Sequence, residues 1–356
     1  MKLFFSHIAS LFYLIAIKLY SKLYDYKILK PFKLDDSPII ISIGNISVGG
    51  SGKTPMIICI SEILSNAHIK HAVISRGYKK KKKGMVVVSN GKTNHSNSIP
   101  TADECGDEPY LLATKLPTVP IVVDENKKNA LQYVSSHFKP KVVLIDDGFQ
   151  SLYLNIDYHL VLHSATSKKQ DMRLLPVGRL RQPVSSLNKA NQIIITKSNI
   201  KENTLLDVEK LRCRVSYSKY KNSMLHWQKN KNSFTTINIE NANLNSSVFV
   251  FCGIADASLF FNSISKYYKN IILQKEYTDH YDYSKNPKFS LDCKVAISKG
   301  AQIFITTYKD FVKIKSNPKF MNFNIDWYIL DIEYNIDNQA KNEILNYINN
   351  FPYLNA

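Results

Sequence analysis

Short apolar runs alternate with helical segments over the first part of the chain. Such runs are typical of parallel strands buried on both faces, and they occur at 38–44, 71–75, 119–123, 142–146, 159–162 and 192–196. Helical segments lie between them at 55–64, 109–115 and 126–137. This alternation predicts a doubly wound, mostly parallel α/β sheet.

The second part of the chain has a different pattern. From about residue 213 to residue 245 it is polar, aromatic and weakly alternating, which predicts a β-ribbon-like or irregular connection. Apolar runs at 247–253, 271–273, 302–306 and 327–330 then predict the strands of a second, smaller α/β domain. We therefore expect an N-terminal helix at 1–25, a core domain at 26–200 and a smaller domain at 201–356 that closes a cleft.

The N-terminal segment combines an apolar surface with one polar stripe. The stripe recurs at helical spacing and consists of His7, Ser10, Lys18, Ser21 and Asp25. The unbroken apolar run 11–17 is too short to span a bilayer, and it lacks the small-residue cleavage site of a signal peptide. The pattern favours a helix lying in a membrane surface. The alternatives are a helix packed on the domain's own core, and a true membrane span or signal peptide.

The chain of 356 residues carries 47 Lys and Arg against 29 Asp and Glu, a formal net charge of +18. This surplus favours an anionic partner, which can be nucleic acid, an anionic membrane surface or a phosphorylated substrate. An AT-rich genome also enriches lysine, so charge alone does not choose among them. The five cysteines are dispersed without a C-x-x-C pair. That spacing argues against a zinc site or a disulfide framework and fits a reducing cytoplasm.

A glycine-rich loop lies between the predicted strand 38–44 and the predicted helix 55–64. Glycines let the backbone aim its N–H groups at phosphates, a lysine reaches the β- and γ-phosphates, and a Ser or Thr hydroxyl meets Mg²⁺. The strict pattern G-x-x-x-x-G-K-[ST] fails only at Ser47, where it requires glycine. The loop thus predicts a P-loop NTPase-like fold that binds ATP and Mg²⁺ rather than a structural turn. The predicted phosphate-binding residues are Ser47, Val48, Gly49, Gly50, Ser51, Gly52, Lys53 and Thr54.

Two carboxylates, Asp146 and Asp147, follow the apolar run 142–145. The carboxyl ends of parallel strands meet at one edge of a sheet, so these side chains are expected near the phosphate loop. Mg²⁺ prefers hard oxygen ligands. We expect Asp146 and Thr54 to hold Mg²⁺ and Asp147 to take a catalytic role by orienting substrate or water. In one alternative the two aspartates exchange these roles. In the other the pair is only an acidic turn that ends the strand.

A second acidic pair, Asp107 and Glu108, lies at a predicted helix start. Phosphoryl transfer to an alcohol needs a group that accepts the hydroxyl proton, and an aspartate near the γ-phosphate commonly does so. Acidic residues are also favoured at helix N-termini for capping and dipole reasons, so the pair alone is a weak signal. His280, in the polar patch 278–282, is by itself more typical of a structural histidine.

Taken in order, these motifs resemble the tetraacyldisaccharide 4′-kinase family, which phosphorylates the 4′-hydroxyl of the lipid A disaccharide precursor. The resemblance covers most of the chain and is carried by the segments 44–55, 75–78, 106–109, 146–150, 173–181, 253–254, 279–280 and 307–310. It implies transfer of the γ-phosphate of ATP to tetraacyldisaccharide 1-phosphate, giving lipid IVA in lipopolysaccharide biosynthesis. It also implies Asp107 as the base, paired with His280 across the cleft, and Mg²⁺ near Thr54 and Asp146.

The basic side chains fit a phosphorylated lipid in an anionic leaflet. Arg76, Arg173 and Arg181 are the predicted substrate contacts, because a guanidinium can bind phosphate through two hydrogen bonds. For the lysine run 79–83, a solvated loop and a membrane contact are equally open. The expected partners are the lipid A disaccharide 1-phosphate precursor and an anionic membrane surface. The resemblance implies a peripheral or monotopic location on the cytoplasmic face of the inner membrane; we expect a monomer, and nucleic acid is not expected as a partner.

The chain departs from the family pattern at two positions. Gln182 lies where the family usually has glutamate, and Tyr281 where it often has histidine. Two other functions stay open, namely a nucleotide-driven switch or motor NTPase and a kinase for a different membrane glycolipid. For a GTPase switch, the guanine-reading motif N-K-x-D has only a poor copy at 196–199.

Overall fold

The computed structural model describes residues 2–34, 38–92, 100–201, 204–231, 233–237, 244–279, 281–315 and 317–352. The chain divides into two compact units, the first formed by Met1–Tyr220 with Tyr334–Ala356 and the second by Lys221–Glu333. These compact units are defined by contacts and do not test the predicted boundary at residue 200, which stays a prediction. Their ranges differ from the predicted domains because the last helix of the chain belongs to the first unit.

The first unit contains the predicted alternation of strands and helices. Its elements are α1 (Lys2–Asp25), β1 (Ile39–Asn45), α2 (Lys53–Asn66), β2 (His71–Ser75), β3 (Val86–Asn90), α3 (Ala102–Cys105), α4 (Asp107–Lys115), β4 (Pro120–Val123), α5 (Lys127–Phe138), β5 (Val142–Asp146), β6 (Tyr158–Ser164) and β7 (Gln192–Thr196). The strand β8 (Arg214–Gln228) begins in this unit and continues into the second.

The sheet of the first unit has the order β8-β7-β6-β1-β5-β2-β4-β3. Every neighbouring pair is parallel except β3 with β4. The central strand β1 pairs with β5 and β6, and its Ile43 lies opposite both Asp146 and Leu160. The carboxyl ends of these three strands therefore meet at one edge, where the phosphate loop and the carboxylate pair begin. The doubly wound α/β prediction is confirmed.

Apolar side chains fill both faces of this sheet. On one face Ile40, Val143 and Val122 pack against Leu131 and Val134 of α5. A second cluster joins the strands to the segment that follows β6, through Phe149, Val161, Leu180, Leu187 and Ile193. Because both faces are covered, the strands are continuously apolar rather than alternating.

The second unit has its own strands and core. It contains β9 (Ser233–Ile237), β10 (Val248–Cys252), α6 (Ala257–Ser265), β11 (Ile271–Glu276), α7 (Pro287–Ser298), β12 (Ile303–Thr307), α8 (Tyr308–Ile314), α9 (Pro318–Met321) and most of β13 (Asp326–Ile336), and α10 (Asn338–Asn349) then belongs to the first unit. β10 pairs in parallel with β11 and β12, and β12 pairs in parallel with β13. The end of β8 pairs antiparallel with β9, which is the β-ribbon expected for this stretch.

Helix α1 has two different faces. Large apolar side chains are strongly exposed along it, with Phe5, Leu11, Phe12 and Leu19 each about 60% accessible or more (61%, 58%, 68% and 60%). Over the part of the chain that is described, no helix has both the length and the apolar character needed to cross a membrane.

Candidate active site

The phosphate loop connects the end of β1 at Asn45 to the start of α2 at Lys53. Gly49 and Gly52 have φ angles of 107° and 85°, which side chains other than glycine rarely adopt. At Gly52 space is also restricted, because an added Cβ would lie 2.2 Å from the ring of Tyr334. This position therefore requires glycine for two independent reasons.

The segment 173–181, called here the arginine-rich segment because it contains Arg173, Arg179 and Arg181, lies directly beside this loop. The amide of Val48 donates to the carbonyl oxygen of Arg179 at 2.8 Å, and the amide of Arg181 donates to the carbonyl oxygen of Ile46 at 2.7 Å. Ser47 and Leu180 form an antiparallel bridge between these two bonds. The segment thus pairs with the phosphate loop as a short β-ladder and fixes its entry.

Asp147 follows β5 in a left-handed conformation, with φ 51°. Arg181 binds its carboxylate at two points, Nη1 to Oδ2 at 2.8 Å and Nη2 to Oδ1 at 2.7 Å. Lys53 Nζ lies 3.7 Å from Oδ1 of Asp147 and donates to Oδ1 of Asn45 at 3.3 Å. Burial opposes ionisation of Asp147, but the Arg181 hydrogen bonds and the nearby cations hold its pKa well below the usual range. A carboxylate whose ionised form is favoured thus lies next to the P-loop lysine.

Asp146 has the opposite environment. Its side chain is buried at the end of β5, and Oδ2 accepts a hydrogen bond from the Ser75 hydroxyl at 2.9 Å. Oδ1 is buried and has no hydrogen-bond partner among the described residues. Burial, followed by the charge of Glu108, raises the pKa of Asp146 to about 6.

An unpartnered buried carboxylate oxygen fits the coordination of Mg²⁺. This ion takes hard oxygen ligands, retains several waters and is usually held by one or two carboxylates together with substrate phosphates. The described residues accordingly contain no cluster of three or more His, Cys, Asp or Glu that could enclose a metal. Asp146 and the hydroxyl of Thr54, in the first turn of α2, are the residues that would hold Mg²⁺.

Lys127 is a site residue that the sequence analysis missed. It begins α5, is 5% exposed, and its Nζ donates to the carbonyl oxygen of Asp147 at 2.6 Å. Burial lowers the pKa of Lys127, whereas the charges of Asp146 and Asp147 act to raise it. The sequence has no local signal that separates Lys127 from Lys128, which lies in the same first turn and places its ammonium over the Phe32 ring instead.

Asp107, the predicted base, is the first residue of α4 and follows Gly106, which has φ 98°. The segment Gly77–Tyr78 packs closely here, because a Cβ on Gly106 would lie 3.1 Å from the carbonyl oxygen of Tyr78. The charge of the neighbouring Glu108 acts on Asp146, which places the start of α4 within electrostatic range of the carboxylate pair. The charge of Arg76 likewise lowers the pKa of Lys127, so Arg76 is also within electrostatic range of the site.

The remaining predicted residues are more dispersed. Arg173 is exposed at the beginning of the arginine-rich segment, and its carbonyl oxygen accepts from the amide of Leu180 at 2.9 Å. Gln182, one of the two departures, has a buried side-chain oxygen without a hydrogen-bond partner in the described part of the chain. His280 lies outside the described residues. Tyr281, the other departure, belongs to the second unit, where its carbonyl oxygen accepts from Lys313 Nζ at 3.5 Å.

A glycine-rich phosphate loop, an adjacent carboxylate pair and a paired arginine at the carboxyl edge of a parallel sheet define a P-loop phosphotransferase. The family model for LpxK, described as tetraacyldisaccharide-1-P 4′-kinase, matches residues 3–349. The chain belongs to this family.

Relatives and a solved structure agree with this membership. A tetraacyldisaccharide 4′-kinase from Flavobacterium johnsoniae is 32% identical, with 92% of this chain and 91% of the relative covered. One from Halothermothrix orenii is 29% identical, with 93% and 88% covered. The crystal structure of the "apo" form of LpxK from Aquifex aeolicus in complex with ATP has a TM-score of 0.76 and 27% identity, with 98% of this chain and 99% of that chain covered. The predicted resemblance, the kinase class and the ATP-dependent 4′-kinase function in lipid A biosynthesis are confirmed.

Proposed function

We propose that this chain transfers the γ-phosphate of ATP to the 4′-hydroxyl of tetraacyldisaccharide 1-phosphate at the edge of the sheet formed by β1, β5 and β6. The observation that carries the proposal is the unlike pair of carboxylates beside the phosphate loop. Asp147 is held ionised by Arg181, while Asp146 keeps one buried oxygen without a hydrogen-bond partner among the described residues. Two adjacent carboxylates with different environments can take two different roles.

In this proposal the backbone N–H groups of residues 47–54 and Lys53 bind the phosphates of ATP. Mg²⁺, when bound, neutralises charge on the transferred phosphoryl group. Asp146 and Thr54 would hold the ion. Asp147 keeps Lys53 and Arg181 in place, because its carboxylate contacts both cations. Positioning and electrostatic stabilisation are the principal contributions that a protein makes to phosphoryl transfer.

The proposed base is Asp107, which would accept the proton of the 4′-hydroxyl as the oxygen attacks phosphorus. The location of Asp107 at the start of α4, next to a residue whose charge reaches Asp146, supports this role. The pairing of His280 with Asp107 stays a prediction from the resemblance. Arg76 and Arg173 are proposed to bind the 1-phosphate of the substrate, and Arg181 is proposed to contact substrate while it holds Asp147.

The lipid substrate requires access from a membrane. We propose that α1 lies in the cytoplasmic surface of the inner membrane, with Phe5, Leu11, Phe12 and Leu19 immersed among the acyl chains. Their exposure along one face of the helix supports this. The surplus of basic residues would favour the anionic leaflet. The protein is proposed to act there as a monomer.

The test is a transfer assay with ATP, Mg²⁺ and detergent-dispersed lipid A disaccharide 1-phosphate, read by mass spectrometry for one added phosphate. Folded protein that forms no product would rule out the proposed substrate. Lys53→Ala should abolish transfer, and Asp107→Ala should lower kcat by on the order of a thousandfold while ATP still binds. Asp207→Ala, at an exposed aspartate, is the matched control. Turnover in Asp107→Ala equal to that of the control would exclude Asp107 as the base.

A further inference from the structure

Helix α1 is hydrogen-bonded to the arginine-rich segment by its half-buried face. The Tyr13 hydroxyl donates to the carbonyl oxygen of Arg181 at 3.1 Å, and the Ser10 hydroxyl donates to the carbonyl oxygen of Leu174 at 3.4 Å. Ser10 and Tyr13 are three positions apart, so both point to the same side of the helix. The helix therefore contacts the arginine-rich segment at two points.

The C-terminal end of α1 has its own attachment. Lys189 Nζ donates to Oδ1 of Asp25 at 2.8 Å and to the Ser21 hydroxyl at 2.8 Å. These groups are substantially exposed, so their ion pair contributes little to stability. It does define where the C-terminal end of α1 lies. Of the polar stripe predicted from the sequence, Ser10 and Ser21 are half-buried against the protein, whereas His7, Lys18 and Asp25 are exposed.

Arg181 is the point where these contacts reach the site. Its carbonyl oxygen accepts from Tyr13, its amide donates to Ile46 at 2.7 Å, and its guanidinium binds the Asp147 carboxylate. One residue therefore connects helix α1, the phosphate loop and the carboxylate pair. At 100° per residue, Phe5, Phe12 and Leu19 project on the side of α1 opposite to Ser10, the other residue that contacts the arginine-rich segment.

We propose that Tyr13 is a positioning residue for Arg181, so that the helix which meets the membrane also sets the geometry of the Arg181–Asp147 pair. This inference rests on the proposed function. Seating of α1 on the arginine-rich segment holds the Arg181 backbone, and the guanidinium then reaches both oxygens of Asp147. Displacement of α1 releases that backbone and lowers the rate of transfer without changing the groups that perform it.

The first test is kinetic. Tyr13→Phe removes the hydroxyl but keeps the ring, and we expect kcat to fall about threefold to tenfold, the range for one lost hydrogen bond, with KM for the lipid unchanged. Tyr20→Phe is the matched control, because the Tyr20 hydroxyl lies 3.4 Å from the hydroxyl of Tyr24 on the same helix. Phe12→Ser should instead raise KM for lipid in vesicles and leave kcat unchanged, because it alters the exposed face of α1 and not the contact with Arg181. A kcat for Tyr13→Phe equal to that of Tyr20→Phe would overturn the inference.

The second test asks whether Tyr13 acts through Arg181. In an Arg181→Lys background, Tyr13→Phe should cause no further loss of kcat, because the two-point pair is already broken. Losses that multiply would show that Tyr13 acts elsewhere, and would overturn the inference.

The third test does not depend on catalysis. Hydrogen exchange of the Arg181 and Val48 amides should accelerate about threefold to tenfold in Tyr13→Phe and stay unchanged in Tyr20→Phe. Unchanged exchange in Tyr13→Phe overturns the inference even if the enzyme is active. An absence of lipid product in the parent protein, with exchange behaving as expected, would instead reject the proposed substrate and leave the coupling between α1 and Arg181 supported.

Discussion

Arg181 and Asp147 are joined by two nearly equal hydrogen bonds, of 2.8 Å and 2.7 Å between nitrogen and oxygen. The pair is partly buried, with the Arg181 side chain 23% exposed and that of Asp147 32% exposed. Nη2 of Arg181 also donates to the carbonyl oxygen of Asn45 at 3.3 Å. The carboxylate is thereby tied to the last residue of β1, where the phosphate loop begins.

The two-point pair predicts that lysine cannot replace arginine at position 181. An ammonium group is a point charge and cannot reproduce the planar fork, so Asp147 loses one bond and its pKa rises toward the usual range. We expect kcat for Arg181→Lys to fall on the order of 100-fold, because the partly buried charge pair loses its two-point geometry. Arg214→Lys, at an exposed arginine that makes a single 3.4 Å contact with Glu343, should be close to neutral. Equal activity of the two variants would contradict the prediction.

The buried Asp146 predicts a dependence of stability on pH. Its pKa of about 6 in the folded protein lies above the value in the unfolded chain, so the folded state binds more protons between about pH 4 and pH 6. The free energy of unfolding therefore decreases as pH rises through this window. Asp146→Asn removes this decrease, and its advantage over the parent should grow by about 2 kcal/mol from pH 4 to pH 7.

Urea unfolding in EDTA measures this difference. Burial also lowers the pKa of His159 and of His163 to about 4, which makes stability fall on acidification. That opposing effect is present in both proteins and cancels in the difference. A constant difference from pH 4 to pH 7 would contradict the assigned environment of Asp146. Mg²⁺ should stabilise the parent and not Asp146→Asn, since ligand binding to the folded state adds stability only where the site is intact.

Much of the sheet was predictable because its strands are continuous apolar runs. The predicted segments 71–75 and 142–146 coincide with β2 and β5, and 38–44 is displaced by one residue from β1. The phosphate loop was predictable for a related reason, since its glycines are required by backbone geometry. Local chemistry thus specified the parts of the site that lie on the sheet edge.

The parts that could not be predicted depend on contacts between distant segments. The pairing of Ser47 with Leu180 joins residues far apart in sequence, and neither has a local signal for it. Lys127 was missed because a lysine in a helix is ordinarily exposed, and only the fold shows its ammonium against the Asp147 carbonyl. The predicted roles of Asp107 and His280 stay predictions.

The contact between Gly52 and Tyr334 predicts a coupled effect of two substitutions. Gly52→Ala introduces left-handed strain, worth about 1–2 kcal/mol, and a clash with the Tyr334 ring at 2.2 Å. We expect the sum to exceed about 2 kcal/mol in stability and to weaken ATP binding. In a Tyr334→Ala background the clash is absent and Gly52→Ala should cost only the backbone strain. The loss of stability in the double variant should therefore be smaller than the sum of the losses in the two single variants.

Gly84→Ala is the matched control for this cycle. Gly84 has φ 76°, close to that of Gly52, but an added Cβ there meets no atom within 4 Å. Its substitution should therefore cost only the strain, about 1–2 kcal/mol, and leave ATP affinity unchanged. Calorimetric titration with ATP and urea unfolding measure both quantities. Additive losses for Gly52 and Tyr334 would show that the ring does not limit the loop.

Lys127 predicts the effect of removing one buried charge from the carboxylate pair. Lys127→Met keeps the length of the side chain but leaves the carbonyl of Asp147 without the donor at 2.6 Å and withdraws a positive charge from both carboxylates. The pKa of each carboxylate should rise, and kcat should fall about 10- to 100-fold, with the acidic limb of the pH–rate profile displaced to higher pH. Lys128→Met is the matched control, since Lys128 is the next residue on α5 and its ammonium lies 4.4 Å from the ring centroid of Phe32. If the two variants have the same kcat and the same acidic limb, the charge of Lys127 has no part in the reaction, and its burial at the site is structural only.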